Sequence, residues 1–122
     1  MNLKKEIIDI LKDNGKTKKD IKWVGCSEFK IPLETFWELC DTEYDSGYGA
    51  PEVAQDLIIC GDDFWLERCE YDGSEWFEYK EMPSEPSAFR EINYLTVEQY
   101  NSYNEDPIIG WETLYSLNAY GN

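Results

Sequence analysis

Asp72-Gly73 lies between two strand-like runs, Phe64 to Tyr71 and Ser74 to Lys80, and a dipeptide of this kind is among the stronger short-range signals for a β-hairpin. A two-residue turn here fixes the pairing around it. Tyr71 faces Ser74, Glu70 faces Glu75, Cys69 faces Trp76, Arg68 faces Phe77, Glu67 faces Glu78 and Leu66 faces Tyr79, and a four-residue loop gives the same pairs. The apolar run Leu57-Ile58-Ile59-Cys60, closed by Gly61-Asp62-Asp63, adds a strand before them, so residues 56–80 read as a three-stranded antiparallel meander. Two of the pairs, Glu70 with Glu75 and Glu67 with Glu78, set like charges opposite each other at a cost of roughly a few tenths of a kcal/mol. A sheet that accepts this either displays its carboxylates to a partner or leaves them screened by solvent.

Around the meander the periodicity turns helical. Leu3, Ile7, Ile10 and Leu11 share one stripe of an amphipathic helix over residues 2–13, stopped by Asn14-Gly15. Thr17 caps a further helical turn through Asp20, and Trp23-Val24-Gly25 has the character of a short strand. Leu33, Phe36, Trp37 and Cys40 recur at i, i+3, i+4 and i+7, with Pro32 suited to the first turn of a helix that runs to about Asp41 and covers one face of the meander. The segment TEYDSGYGAP, residues 42–51, is a loop by composition, and its Asp45 and Tyr48 serve either recognition or plain connection. Beyond Lys80, EMPSEPS breaks the sheet with two prolines, Phe89 to Leu95 reads as a fourth strand, and Thr96-Val97-Glu98-Gln99 has the capping-box pattern of a helix through Tyr103. Gly110-Trp111 opens a last short turn in which Trp111, Leu114 and Leu117 are expected to pack inward. The expected architecture is a single α+β domain over residues 1–122, an antiparallel meander of three to four strands with helices on one face.

The charge is uneven. Residues 1–30 hold 8 basic and 5 acidic side chains, a local +3, whereas residues 31–122 hold 3 basic and 21 acidic, a local −18. Such a body attracts basic surfaces and repels nucleic acid and anionic membranes. Five Trp, nine Tyr and five Phe supply core material that a disordered acidic chain lacks, so the charge rides on a folded object. The start, MNLKKEIIDILKD, is amphipathic where a leader would be apolar, and no stretch reaches the length of a membrane span, so the cytoplasm is the expected location.

Catalytic chemistry finds little to build on. The absence of histidine removes Ser-His nucleophilic catalysis, and Arg68, next to Cys69 in sequence, points to the opposite face of a strand. Asp62-Asp63 and the group Asp41, Glu43 and Asp45 match no calcium-loop spacing, and Gly47-Tyr48-Gly49 lacks the lysine and the helix of a phosphate loop. Cys26, Cys40, Cys60 and Cys69 are spaced by 14, 20 and 9 residues with no C-x-x-C, so they are expected as buried free thiols without cofactor, a four-cysteine zinc site being the alternative. The chain is expected not to be an enzyme. What remains is a polyanion: carboxylates on alternate residues of a strand stand about 6.6 Å apart, near the spacing of successive phosphates. Glu67, Glu70, Asp72, Glu75, Glu78 and Glu81 would then take the place of a phosphate backbone, or form an ordinary acidic surface.

Glu43 to Lys80, EYDSGYGAPEVAQDLIICGDDFWLERCEYDGSEWFEYK, together with GWETL at 110–114, resembles small acidic proteins of phages and mobile elements of low-GC bacteria. The resemblance covers roughly residues 20–80 and 108–118. Proteins of this kind include anti-CRISPR inhibitors of the type II RNA-guided nuclease, several of which imitate DNA. The resemblance implies an inhibitor in the host cytoplasm that occupies a basic nucleic-acid groove of a Cas nuclease and blocks target DNA, with no direct contact to nucleic acid or membrane. It carries over no contact motif and gives a cysteine-bound metal no support. The expected partner-binding residues are Glu67, Glu70, Asp72, Glu75, Glu78, Asp45 and Tyr48, and the alternative is a non-catalytic structural or adaptor domain.

Overall fold

The computed structural model of the chain describes residues 1–45, 47 and 49–119, and Asp72 and Gly73 both take positive φ in it, 49° and 85°, as a type I′ turn requires. From this turn β4 (Phe64–Tyr71) and β5 (Ser74–Glu81) run antiparallel, and all six expected pairs, from Tyr71–Ser74 to Leu66–Tyr79, are formed. β3 (Ile58–Cys60) pairs with β4, β1 (Trp23–Gly25) with β3, and β2 (Lys30–Ile31), which the sequence did not announce, with β1. The chain is α+β: among the described residues the sheet has five antiparallel strands in the order β2-β1-β3-β4-β5.

Directly paired residues share a face, so the register sorts the sheet. One face carries Val24, Ile59, Leu66, Arg68, Phe77 and Tyr79, and α1 (Leu3–Asp13) and α2 (Leu33–Leu39) cover it. Leu3, Ile7 and Leu11 of α1 and Phe36 of α2 close a core with Val24, Ile59, Leu66 and Phe77. Leu66 has no exposed surface, and burying a side chain of that size contributes about 2 kcal/mol. Asn2 caps α1 by accepting from Lys5 N, and Asn14-Gly15 ends it with Gly15 at φ 71°. Pro32 sits one residue before the expected first turn of α2, as its N-cap. The other face carries Trp23, Ile58, Trp65, Glu67, Cys69, Trp76, Glu78 and Lys80, none of which belongs to the core cluster.

Backbone contacts group the chain into two compact units, Met1–Pro83 and Ser84–Asn122, each described by itself. The division falls within Glu81 to Ser87, where Pro83 and Pro86 cannot donate to a ladder. In the second unit α3 (Val97–Tyr103) starts from the expected capping box, Thr96 accepting from Gln99 N while the Gln99 side chain accepts from Thr96 N. Phe89 to Leu95 is not a strand. The buried Asn118 takes over the work of a neighbouring strand there: its Oδ1 accepts from Asn93 N and Tyr94 N at 3.0 and 2.9 Å, and its Nδ2 donates to Tyr94 O at 2.9 Å. The expected inward stripe after Gly110 is also corrected. α4 (Leu114–Leu117) begins behind the Thr113 cap, so Trp111 precedes the helix at φ 64° and is fully exposed, Leu114 is exposed, and Leu117 alone of the three is buried.

Among the described residues a Cβ at Gly73 would meet nothing nearer than 3.7 Å, so Gly73→Val tests chiefly backbone strain. The variant is expected to lose more than about 1 kcal/mol, read from its urea midpoint. An unchanged midpoint would show that the hairpin does not need the positive φ.

Candidate functional site

The residues expected to form one acidic ladder are split by the pleat. Glu67 and Glu70 are three apart on β4, so they point to opposite faces, and register carries the split to β5: Glu75 lies opposite Glu70, and Glu78 opposite Glu67. Glu70 and Glu75 are on the helix-covered face, Glu67 and Glu78 on the other, and Asp72 is in the turn. No single line of carboxylates imitates successive phosphates.

Glu75 is moreover withdrawn from the surface, with 6% of it exposed. Its Oε1 receives Arg68 Nη2 at 2.7 Å and Val53 N at 3.0 Å, and its Oε2 receives Glu52 N at 2.8 Å. Arg68 is enclosed as well: it reaches Glu6 Oε2 of α1 at 3.6 Å, an ion pair too long for a hydrogen bond, and its guanidinium lies 4.5 Å from the Phe77 ring centroid. Tyr44 donates its hydroxyl to Glu6 Oε1. Burial and that carboxylate acceptor together push the Tyr44 phenol up to about 12. Burial opposes the charge of Glu75, but two backbone N–H groups and Arg68 outweigh it and hold the carboxyl below its ordinary value. The expectation of Glu75 as a partner contact is therefore corrected, because Arg68 and the backbone of residues 52–53 already use its oxygens.

The second like-charge pair is also bridged from within, by one cation of the chain's own. Lys80 Nζ stands 2.8 Å from Glu67 Oε1 and 3.7 Å from Glu78 Oε2. Neither pair leaves the uncompensated repulsion that suggested a partner's cation. The hairpin rule gave the pairs but not the diagonal neighbours Arg68–Glu75 and Glu67–Lys80. The period-2 alternation already puts each of these on one face, and long side chains reach across such a diagonal.

Glu70 and Asp72 remain exposed, and among the described residues neither carboxylate has a hydrogen bond or ion pair. Asp45 is exposed, its backbone N donating to Glu52 Oε2 at 3.2 Å. Tyr48 lies outside the described residues. The loop holding Asp45 is anchored by Tyr44, which is 8% exposed and belongs to the core. All four cysteines are free thiols, but only Cys40 and Cys60 are buried as expected, Cys26 and Cys69 being half-buried. Burial pushes Cys40 and Cys60 up, and burial followed by Glu78 does so for Cys69, which leaves them poor nucleophiles at neutral pH. Among the described residues no three Cys, Asp or Glu side chains are grouped to hold a metal ion, and no helix is long and apolar enough to cross a membrane. No protein-family model matches this chain, nor does any curated protein or solved structure.

Glu75→Gln keeps the shape and removes the charge. A carboxyl whose folded pKa is depressed contributes stability above its unfolded value, here the ordinary 4.5, and loses it as pH falls through the lower folded value. At neutral pH the variant is expected to be less stable by about 3 kcal/mol, because Arg68 loses a buried partner. The gap should narrow as the medium is acidified below pH 4.5, followed by urea unfolding of both proteins. A gap that ignores pH would assign the loss to packing.

Proposed function

We propose that this chain is a non-catalytic protein that binds a basic protein surface, an inhibitor of the anti-CRISPR kind acting on the nucleic-acid groove of an RNA-guided nuclease in the cytoplasm. The observation that carries the reading is the surplus of acid left after every internal pairing. Residues 31–122 have 21 carboxylates and 3 basic side chains; Arg68 and Lys80 are engaged in the sheet, while Glu70 and Asp72 stand exposed at the turn end of the hairpin without partners among the described residues. Such a field speeds encounter with a cationic groove and keeps nucleic acid away. The choice of nuclease rests only on the resemblance carried by Glu43 to Lys80 and by GWETL at 110–114. Binding here is electrostatic docking by the hairpin end, with no cofactor or metal and no copy of a single phosphate strand.

The test is a DNA-cleavage assay in which nuclease, guide and this protein are mixed before target is added. Inhibition is expected at low ionic strength, with steep loss as salt is raised, and at least about tenfold weaker inhibition by Glu70→Lys combined with Asp72→Asn. Both positions are exposed, so the fold should survive, as unchanged circular dichroism would show. Full cleavage at low salt would remove this nuclease as the target and leave the structural or adaptor reading. Inhibition indifferent to salt and to both substitutions would remove the electrostatic mechanism.

A further inference from the structure

On the face of the sheet opposite α1 and α2, the register sets two indoles around two carboxylates, an arrangement suited to a guanidinium. Trp65 and Lys80 pair in one row, Glu67 and Glu78 in the next, Trp76 and Cys69 in the one after. The two carboxylates are thus bracketed by an indole on each strand, Trp65 two residues from Glu67 and Trp76 two residues from Glu78, about 6.6 Å along the strand in each case. Trp65 and Trp76 are half-buried, and neither belongs to the core cluster. The carboxylates themselves are open to solvent, their side chains 37% and 44% exposed. Indole faces beside paired carboxylates recognise a cation that is flat, stacks and forks its hydrogen bonds, which describes arginine better than lysine.

The site is held by a cation of the chain's own. Lys80 stands in the Trp65 row and reaches both carboxylates, 2.8 and 3.7 Å away, with its side chain 47% exposed. We propose that this face is the docking site for an arginine-bearing segment of a basic partner, and that Lys80 is an internal competitor which the incoming guanidinium displaces from Glu67 and Glu78. Displacement is feasible because exposed ion pairs are individually weak, about 0.2–1 kcal/mol, and a stacked, bidentate guanidinium offers more than a point charge. The proposal rests on the reading that the partner is basic, and its test involves no nuclease, so either can fail alone.

The experiment titrates the whole chain with an octa-arginine peptide and, separately, an octa-lysine peptide, following tryptophan fluorescence and heat. Lys80→Met is expected to bind octa-arginine about fivefold more tightly than the unaltered protein, the equivalent of releasing two exposed ion pairs. Glu67→Gln with Glu78→Gln in that background should abolish the gain. Glu34→Gln with Glu38→Gln on α2, where both side chains are exposed, removes the same charge and should leave the gain intact. Octa-lysine should profit less than octa-arginine from Lys80→Met. Lys80→Gln repeats the comparison with a polar tip, so that the outcome does not hang on one variant's folding. Equal affinity of the unaltered protein and both Lys80 variants would overturn the proposal. So would a gain that survives loss of Glu67 and Glu78, or one that the α2 substitutions remove as completely.

Discussion

The first unit is tied together by a guanidinium enclosed between two carboxylates. Arg68 lies on the same sheet face as Leu66 and Phe77, where an apolar side chain would be expected, and its charge is tolerated because Glu75 meets it at 2.7 Å and Glu6 at 3.6 Å. Each contact belongs to a different part of the fold: Glu6 to α1, Glu75 to β5, the 52–53 backbone to the chain that returns from α2. Taking such charges out of water costs several kcal/mol per ion, and the node is sustained only because its polar atoms are so largely occupied. Its benefit is specificity. One arrangement of helix, loop and hairpin pairs Arg68 with both carboxylates, Nη2 hydrogen-bonded to Glu75 and Nη1 left with only the longer ion pair to Glu6, and a slip of one residue between β4 and β5 would put Arg68 and Glu75 on opposite faces.

That node changes how the acidity is to be understood. Two carboxylate pairs across a hairpin suggest stored repulsion awaiting a partner, yet each pair has a cation two residues away along a strand or diagonally across the ladder. Glu75 is spent on structure and Lys80 holds Glu67 and Glu78. The freely available charge is elsewhere, at the hairpin end with Glu70 and Asp72 and along the exposed sides of the helices. A basic partner can therefore meet this protein at those groups and, by displacing Lys80, at Glu67 and Glu78, two contacts that involve different residues and different faces.

The hairpin, its register, α1, α2 and the caps Thr17 and Thr96 were legible in the residues themselves, because turn chemistry, period-2 alternation and the i, i+3, i+4 stripe are local rules that Asp72-Gly73, Leu3-Ile7-Leu11 and Thr96-Gln99 obey within a few residues of chain. Phe89 to Leu95 departs from its strand-like sequence for the opposite reason: a strand is made by its neighbour, and Asn118, more than 20 positions away, supplies the partners that a ladder would have supplied. Trp111 was misread because an apolar stripe needs a helix long enough to present it, and Thr113 sets the start of α4 too late.

What the sequence determined alone is the set of pairs across β4 and β5 and the excess of carboxylate over cation, since turn geometry and ionisation depend on nothing distant. Only the tertiary structure decided which carboxylates are free. Glu70 and Glu75 are directly paired, carry the same charge and share a face, yet one is exposed and the other buried. The difference is that the backbone of residues 52–53 folds over Glu75 with two N–H groups to satisfy, and no property of the strand itself states where that remote segment will come to rest.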